Sequence, residues 1–125
     1  MGFAVTQTAQ ALYTFFSAFT IPAYVEYTEP DNERPPYITY ELAEPDWRGR
    51  TGIHARVWYR STSFAEIAQK VDEIRAALGE GVSIPTDSGA VYLWADDNWA
   101  QFQPMEGDPT LKCAYLSFIL EAHTN

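Results

Sequence analysis

Few side chains in this sequence could do covalent or metal chemistry. His54 and His123 are its two histidines and Cys113 is its one cysteine. The histidines fall on segments that read as different strands. Even on neighbouring strands they would lack the further ligands a zinc site needs. Cys113 lies in an apolar stretch, residues 111–122, where a cysteine behaves as a small buried hydrophobe. As a nucleophile it would need a base, and His54 is the one candidate. Asp96 and Asp97 could hold a cation with Asp87, but adjacent acids at a strand end more often form a solvated turn. Seventeen acids will always contain some pair at glycosidase spacing, so that pairing is no signal. The sequence has no glycine-rich phosphate loop, no Gly-x-Ser-x-Gly elbow and no metal-ligand spacing of Cys and His. No catalytic residue, cofactor or metal is expected, and the chain reads as a non-enzyme.

What remains is the chemistry of recognition. Arg56 and Arg60 share a strand face with Trp58 between them. Such a strip is either a cation–π and ion-pair ladder on an exposed sheet or a patch that docks an acidic neighbour. Trp47 sits between Asp46 and Arg48, with Arg50 close behind, in a segment joining two strands. It either contacts a partner from a hairpin tip or folds back over its own hairpin. Trp47, Arg48, Arg50, Arg56, Trp58 and Arg60 are therefore the expected subunit or partner contacts. Formal net charge is −9, and a chain of that sign repels nucleic acid, so no specific binding to it is expected. The acidic run 29–33 of a second copy is a natural partner for the basic strip.

The element that must position these residues spans 52–79. Ile53, Ala55, Val57 and Tyr59 alternate with His54, Arg56, Trp58 and Arg60, which puts the two sets on opposite faces of one strand. Ser63 and Glu66 have capping-box spacing. Phe64, Ile67, Val71, Ile74 and Leu78 then recur at helical intervals, with Lys70 among the residues off that stripe, and Gly79 can end the helix with positive φ. Upstream, residues 1–5 are expected to fray, and Thr6 or Thr8 can cap a first helix that buries Leu12, Phe15, Phe16 and Phe19. That helix carries no charge between Val5 and Tyr24, so its outer side is either covered or meets a partner. Strands are expected at 23–27 and 37–43, around a proline-rich acidic loop at 29–36. The strands on either side of 44–51 suggest an antiparallel hairpin. Downstream, strands are expected at 82–84, 90–95 and 111–122, with a further short strand or an extended loop at 99–103. The last is apolar on both sides, which places it centrally in the sheet or against another subunit.

The order α-β-β-β-α-β-β-β predicts an α+β fold, a mainly antiparallel sheet with two helices on one face. Residues 1–125 form one domain, long enough to bury a core. Two helices can shelter one sheet face. The other, rich in aromatics, needs cover from elsewhere. One cysteine excludes an intrachain disulfide and fits a reducing compartment. With neither a secretory leader nor an apolar run of membrane-spanning length in the sequence, a soluble cytosolic product is expected, with no membrane partner.

Three runs carry a resemblance: Ile21-Pro22-Ala23-Tyr24 after an aromatic helix, Pro36-Tyr37-Ile38-Thr39-Tyr40, and Val57-Trp58-Tyr59-Arg60-Ser61-Thr62-Ser63 before an amphipathic helix. Together the chain from about Ala11 to Leu120 resembles the tail terminator, or tail completion, proteins of long-tailed bacteriophages and prophages. That resemblance implies a minor tail protein with an α+β fold and no catalytic residues. It further implies a homo-oligomeric ring, commonly of six subunits, on the last tail-tube ring, with the tail tube protein and the head–tail connector as partners. The expected location is the virion tail, and the host cytoplasm before assembly. A head–tail joining protein of the same module, or a cytosolic domain binding a small ligand, are the alternative readings. A negative chain also suits a channel through which DNA slides.

Overall fold

The computed structural model describes residues 5–43 and 49–124. Its elements are α1 (Val5–Phe16), a 3-10 turn (Ser17–Phe19), β1 (Ala23–Val25), β2 (Tyr37–Tyr40), β3 (Arg50–Arg60), α2 (Ala65–Leu78), β4 (Val82–Thr86), β5 (Gly89–Met105) and β6 (Asp108–Thr124). Six strands form one sheet in the order β1-β2-β3-β6-β5-β4. Every neighbouring pair is antiparallel except β1 with β2, which run parallel. The α+β class and the order of elements are those the sequence implies.

The alternation in β3 fixes which way the sheet faces. Ile53, Ala55, Val57 and Tyr59 point into the core. Directly across them on β6 stand Phe118, Leu116, Ala114 and Lys112. Leu12, Phe15 and Phe16 from α1 and Ile67, Val71, Ile74 and Leu78 from α2 join the same buried cluster, so both helices lie on one side of the sheet. Phe16 is its hub: it stacks on Tyr40 and meets Phe118 edge-on, with ring centroids 4.6 and 5.3 Å away. β6 is central, between β3 and β5, as its two apolar sides imply. Only one of those sides is covered by helices.

Several local expectations are corrected. The acids at 96–97 do not end a strand. β5 runs through them with a bulge, since Ala95 pairs with Phe118 and Ala100 with Leu116. The extra residues turn Trp99 inward, edge-on to Phe118 at 5.1 Å. The expected strands at 90–95 and 99–103 are thus one strand, joined to β6 by a tight turn in which Gly107 takes φ 82°. Thr8 is no cap, because α1 already begins at Val5 and Thr8 is buried within it. The fraying expected over 1–5 lies outside the described residues except at Val5, which is helical. Ser63 does not close a capping box. Its hydroxyl accepts from the amide of Ala65 at 3.3 Å, and Phe64 occupies the cap position. Gly79 does end α2, at φ 53°, with its amide donating to the Arg75 carbonyl.

Lys70 is the largest departure. It lies off the apolar stripe in sequence, yet it is buried, because its ammonium reaches the end of the first helical segment. Nζ donates to the Phe19 carbonyl at 2.7 Å and to Glu73 at 3.1 Å. The Phe19 carbonyl, at the end of the first helical segment, accepts from the Thr20 hydroxyl at 2.5 Å and is further capped by this cation from the other helix.

Candidate assembly surface

The sheet face opposite the helices gathers the polar and aromatic half of every strand. Cross-strand register builds it in rows. Tyr37, Trp58, Cys113 and Gln103 make one, and Thr39, Arg56, Tyr115 and Gln101 the next. His54 with Ser117, then Ile119 with Trp94, continue it to Arg50, Glu121 and Tyr92. Among the described residues no helix covers this face, and these side chains lean on each other. The Trp58 indole stacks on Tyr37 at 6.1 Å and donates through Nε1 to the Thr39 hydroxyl at 3.0 Å. The Arg56 guanidinium lies 4.8 Å above the Tyr115 ring and pairs with Glu26. His54 stacks on the same tyrosine at 4.7 Å, its ring Nδ1 2.8 Å from Glu41.

The three described arginines of the expected contact set are all held within the chain. Arg50 pairs with Glu121 at 2.8 Å and lies over Trp94, and Arg60 pairs with Asp108 at 2.8 Å. These bonds hold the Glu121 and Asp108 carboxyls below their ordinary pKa, in each case chiefly through the arginine hydrogen bond. The aromatic partner of Arg56 is Tyr115 across the ladder, and that of Trp58 is Tyr37. Direct cross-strand neighbours sit closer than residues two apart on one strand, so the ladder runs across the sheet rather than along β3. An acidic neighbour would meet guanidiniums that already have carboxylates. Trp47 and Arg48 lie outside the described residues.

The residues singled out for chemistry do not converge. His54 faces Ser117, and His123 lies six residues further along β6, about 20 Å away at the rise of a strand. Burial pushes the Cys113 thiol up to about 11, so it is a protonated, inert side chain at neutral pH. His54 is engaged with Glu41 and Tyr115. Asp96 and Asp97 sit in the β5 bulge and Asp87 in the β4–β5 turn. Among the described residues no three His, Cys, Asp or Glu come together as metal ligands. No helix among them is long and apolar enough to cross a membrane.

A shallow cleft of about 310 Å³ lies on this face, lined by Arg56, Trp58, Gln101, Gln103, Met105, Cys113 and Tyr115. Sequence reasoning missed its β5 wall. The alternation Gln101-Phe102-Gln103 carried that signal, but the acids before it looked like the end of a strand. Two further features stand off the sheet face. α1 turns an uncharged side outward, with Gln10 and Thr14 exposed beside Tyr13, which is 57% exposed. Tyr27, just past β1, is 88% exposed.

No protein-family model matches this chain, and no curated protein matches it. Solved structures do. One chain of the virion of a native gene transfer agent particle superposes with a TM-score of 0.73 at 16% identity, over 97% of this chain and 98% of that one. Another solved chain gives 0.65 at 15% identity, over 99% of both. From end to end, this chain has the fold of a component of a gene-transfer-agent virion.

Proposed function

We propose that this protein is a structural component of a phage or phage-like virion: a tail terminator that closes the tail tube as a ring and meets the head–tail connector. The observation that carries the reading is the full-length likeness to a chain of a gene-transfer-agent virion. A binding module that had borrowed part of such a fold would match over a segment. The surface fits the role. Half the sheet is roofed by helices, and the other half is a polished field of Trp, Tyr and Arg, the residue types enriched where proteins meet. The outward side of α1 carries no charge. Net charge of −9 keeps passing DNA from adhering to the ring. In this role the protein is no enzyme and takes no cofactor. Its partners are further copies of itself, the tail tube protein and connector proteins, and its place is the virion tail after assembly in the host cytoplasm.

The test is electron microscopy of particles from a strain lacking the gene. Overlong tails, with or without heads, support termination. Tails of normal length that fail to join heads support the head–tail joining alternative. Normal tails on heads overturn both.

A further inference from the structure

Of this chain's eight lysines and arginines, Arg48 lies outside the described residues and six of the others are spent within the chain. Arg50, Arg56, Arg60 and Lys70 pair with carboxylates, and Arg75 and Lys112 donate to the Gly79 and Pro109 carbonyls. Arg34 is left: it is exposed, and among the described residues its guanidinium has no acceptor. The segment that presents it is tied down. Tyr27 enters it in the left-handed region, at φ 68°, with the Thr28 amide donating to the Val25 carbonyl at 3.0 Å. The Glu33 amide donates to the Pro30 carbonyl at 2.9 Å, and the Glu33 carboxylate accepts from the Tyr24 phenol and the Arg34 amide. Pro35 and Pro36 follow, with φ fixed by their rings.

The outward side of α1 offers the complement. Two depressions that share Gln10 and Asp87 form one trough between α1 and the β4–β5 turn. The Ser88 amide and hydroxyl fix that turn to α1 by donating to the Gln7 side chain, at 3.1 and 2.7 Å. One end of the trough, about 380 Å³, is polar: Gln10, Thr14 and Asp87 line it with Thr86, whose buried hydroxyl has no partner among the described residues. The other, about 660 Å³, is lined by Ala9, Tyr13 and Val25. Asp87 is exposed, carries the trough's only charge and is in no ion pair among the described residues.

We infer that Arg34-Pro35-Pro36 of one copy docks in the α1 trough of the next, with Arg34 on Asp87. A guanidinium has five donors in a planar fork, and the polar end supplies a carboxylate beside amide and hydroxyl acceptors. The prolines then lie along the apolar end beside Tyr13, the kind of aromatic surface that proline segments dock on. Charge selects this trough from the other depressions. The sheet-face cleft has Arg56 as its charged lining, and the cleft beside Tyr92 and Trp94 holds His123 and a Glu121 already bound by Arg50. Glu33, next to Arg34, is occupied by its own chain, while Glu29 and Asp31 oppose the contact. The donor segment and the trough are different surfaces of the chain. Each copy therefore seats one neighbour and is seated in another, a head-to-tail contact that closes into a ring or continues as a filament. The inference supplies the subunit contact of the ring proposed above, and to that extent rests on that reading.

A carbodiimide, which joins an amine to a carboxylate only where the two touch, tests it. Arg34→Lys keeps the charge and supplies the amine. At high protein concentration this variant is expected to give a ladder of covalent dimers, trimers and larger species. Mass spectrometry should find the new amide bond between position 34 and Asp87. The chain's own lysines, Lys70 and Lys112, are buried, so wild type should give no ladder through them. Adding Asp87→Asn is expected to abolish the ladder with the melting temperature unchanged, since both positions are exposed. Exchanging the charges, Arg34→Asp with Asp87→Lys, is expected to restore it. No ladder, a ladder ending at dimer, one that survives Asp87→Asn or one that the exchange does not restore overturns the inference. So does a bond from position 34 to Asp87 confined to monomer, or one to Glu80 in its place. The gene-deletion phenotype is independent of this result, so the contact and the tail role can fail separately.

Discussion

Replacing Lys70 with methionine isolates one buried charge. The side chain is nine-tenths buried and its ammonium donates to the Phe19 carbonyl at 2.7 Å and, more weakly, to the Thr20 hydroxyl at 3.3 Å. Methionine keeps most of the aliphatic stem against the core, so packing is nearly conserved. What goes is the donor. Hydrogen bonds from charged groups contribute about 1.5–3 kcal/mol, while the Phe19 carbonyl keeps the Thr20 hydroxyl as a second donor at 2.5 Å. The ion pair to Glu73 adds little, because the glutamate is half exposed and such i,i+3 pairs are worth about 0.2–0.5 kcal/mol. Losing the ammonium also removes the desolvation cost of burying it, which offsets part of the loss. A net destabilisation of about 1–3 kcal/mol follows. At roughly 2.1 cal/mol/K of unfolding entropy per residue, 125 residues give about 0.26 kcal/mol/K, so the melting temperature should fall by about 4–12 °C. Urea denaturation followed by circular dichroism reads the same quantity, with the m-value unchanged. Glu73→Ala alone should change stability by less than about 0.5 kcal/mol, and the Lys70→Met effect should persist in its background. A Lys70→Met protein as stable as wild type would refute the idea that the ammonium closes the first helical segment.

Two further outcomes follow from the ionisable groups. Glu121 is held below its ordinary pKa by Arg50, so its contribution is present above the unfolded value of about 4.3 and is lost as pH falls through the folded value. In Arg50→Gln the Glu121 carboxyl resonance should titrate at higher pH than in wild type, and an unchanged midpoint would show that the pair is not formed in solution. Cys113, with its thiol pushed up to about 11, should resist iodoacetamide at neutral pH and react at the rate of a free cysteine only once denaturant unfolds the chain. Rapid labelling of the native protein would contradict its burial.

The fold was legible wherever periodicity spoke for whole elements. The strand–helix unit at 52–79 and the apolar stripe of α1 were plain because each buries a contiguous set of residues. The sequence misled where one residue's role depends on a partner far along the chain. Asp96 and Asp97 have the composition of a turn, but β6 pairs on both sides of them and the strand tolerates a bulge. Lys70 looked like solvent-facing charge, and only the approach of the Phe19 carbonyl, fifty-one residues earlier, draws it inside. Ser63 had the spacing of a capping box, but α2 begins behind Phe64, whose ring is drawn to Phe102 on β5. Tyr27 gave no signal, since nothing in a sequence shows that its backbone will be left-handed.

For the outer face the sequence offered residue types, and the cross-strand register supplies their partners, which bears on how such a face could bind. Arg56 and Trp58 were read either as part of a cation–π and ion-pair ladder or as a patch that docks an acidic neighbour. The cross-strand register gives each a partner of its own: Glu26 and Tyr115 for Arg56, Thr39 and Tyr37 for Trp58. Side chains fixed this way before a partner arrives have little rotamer freedom left to lose, about 0.5–1.5 kcal/mol saved for each large residue already immobile. Paired guanidiniums also contribute less long-range attraction than free ones. On the reading proposed above, a partner meeting this face would gain more from a slowly dissociating fit than from fast electrostatic capture, because its guanidiniums are already paired and its aromatic rings already stacked.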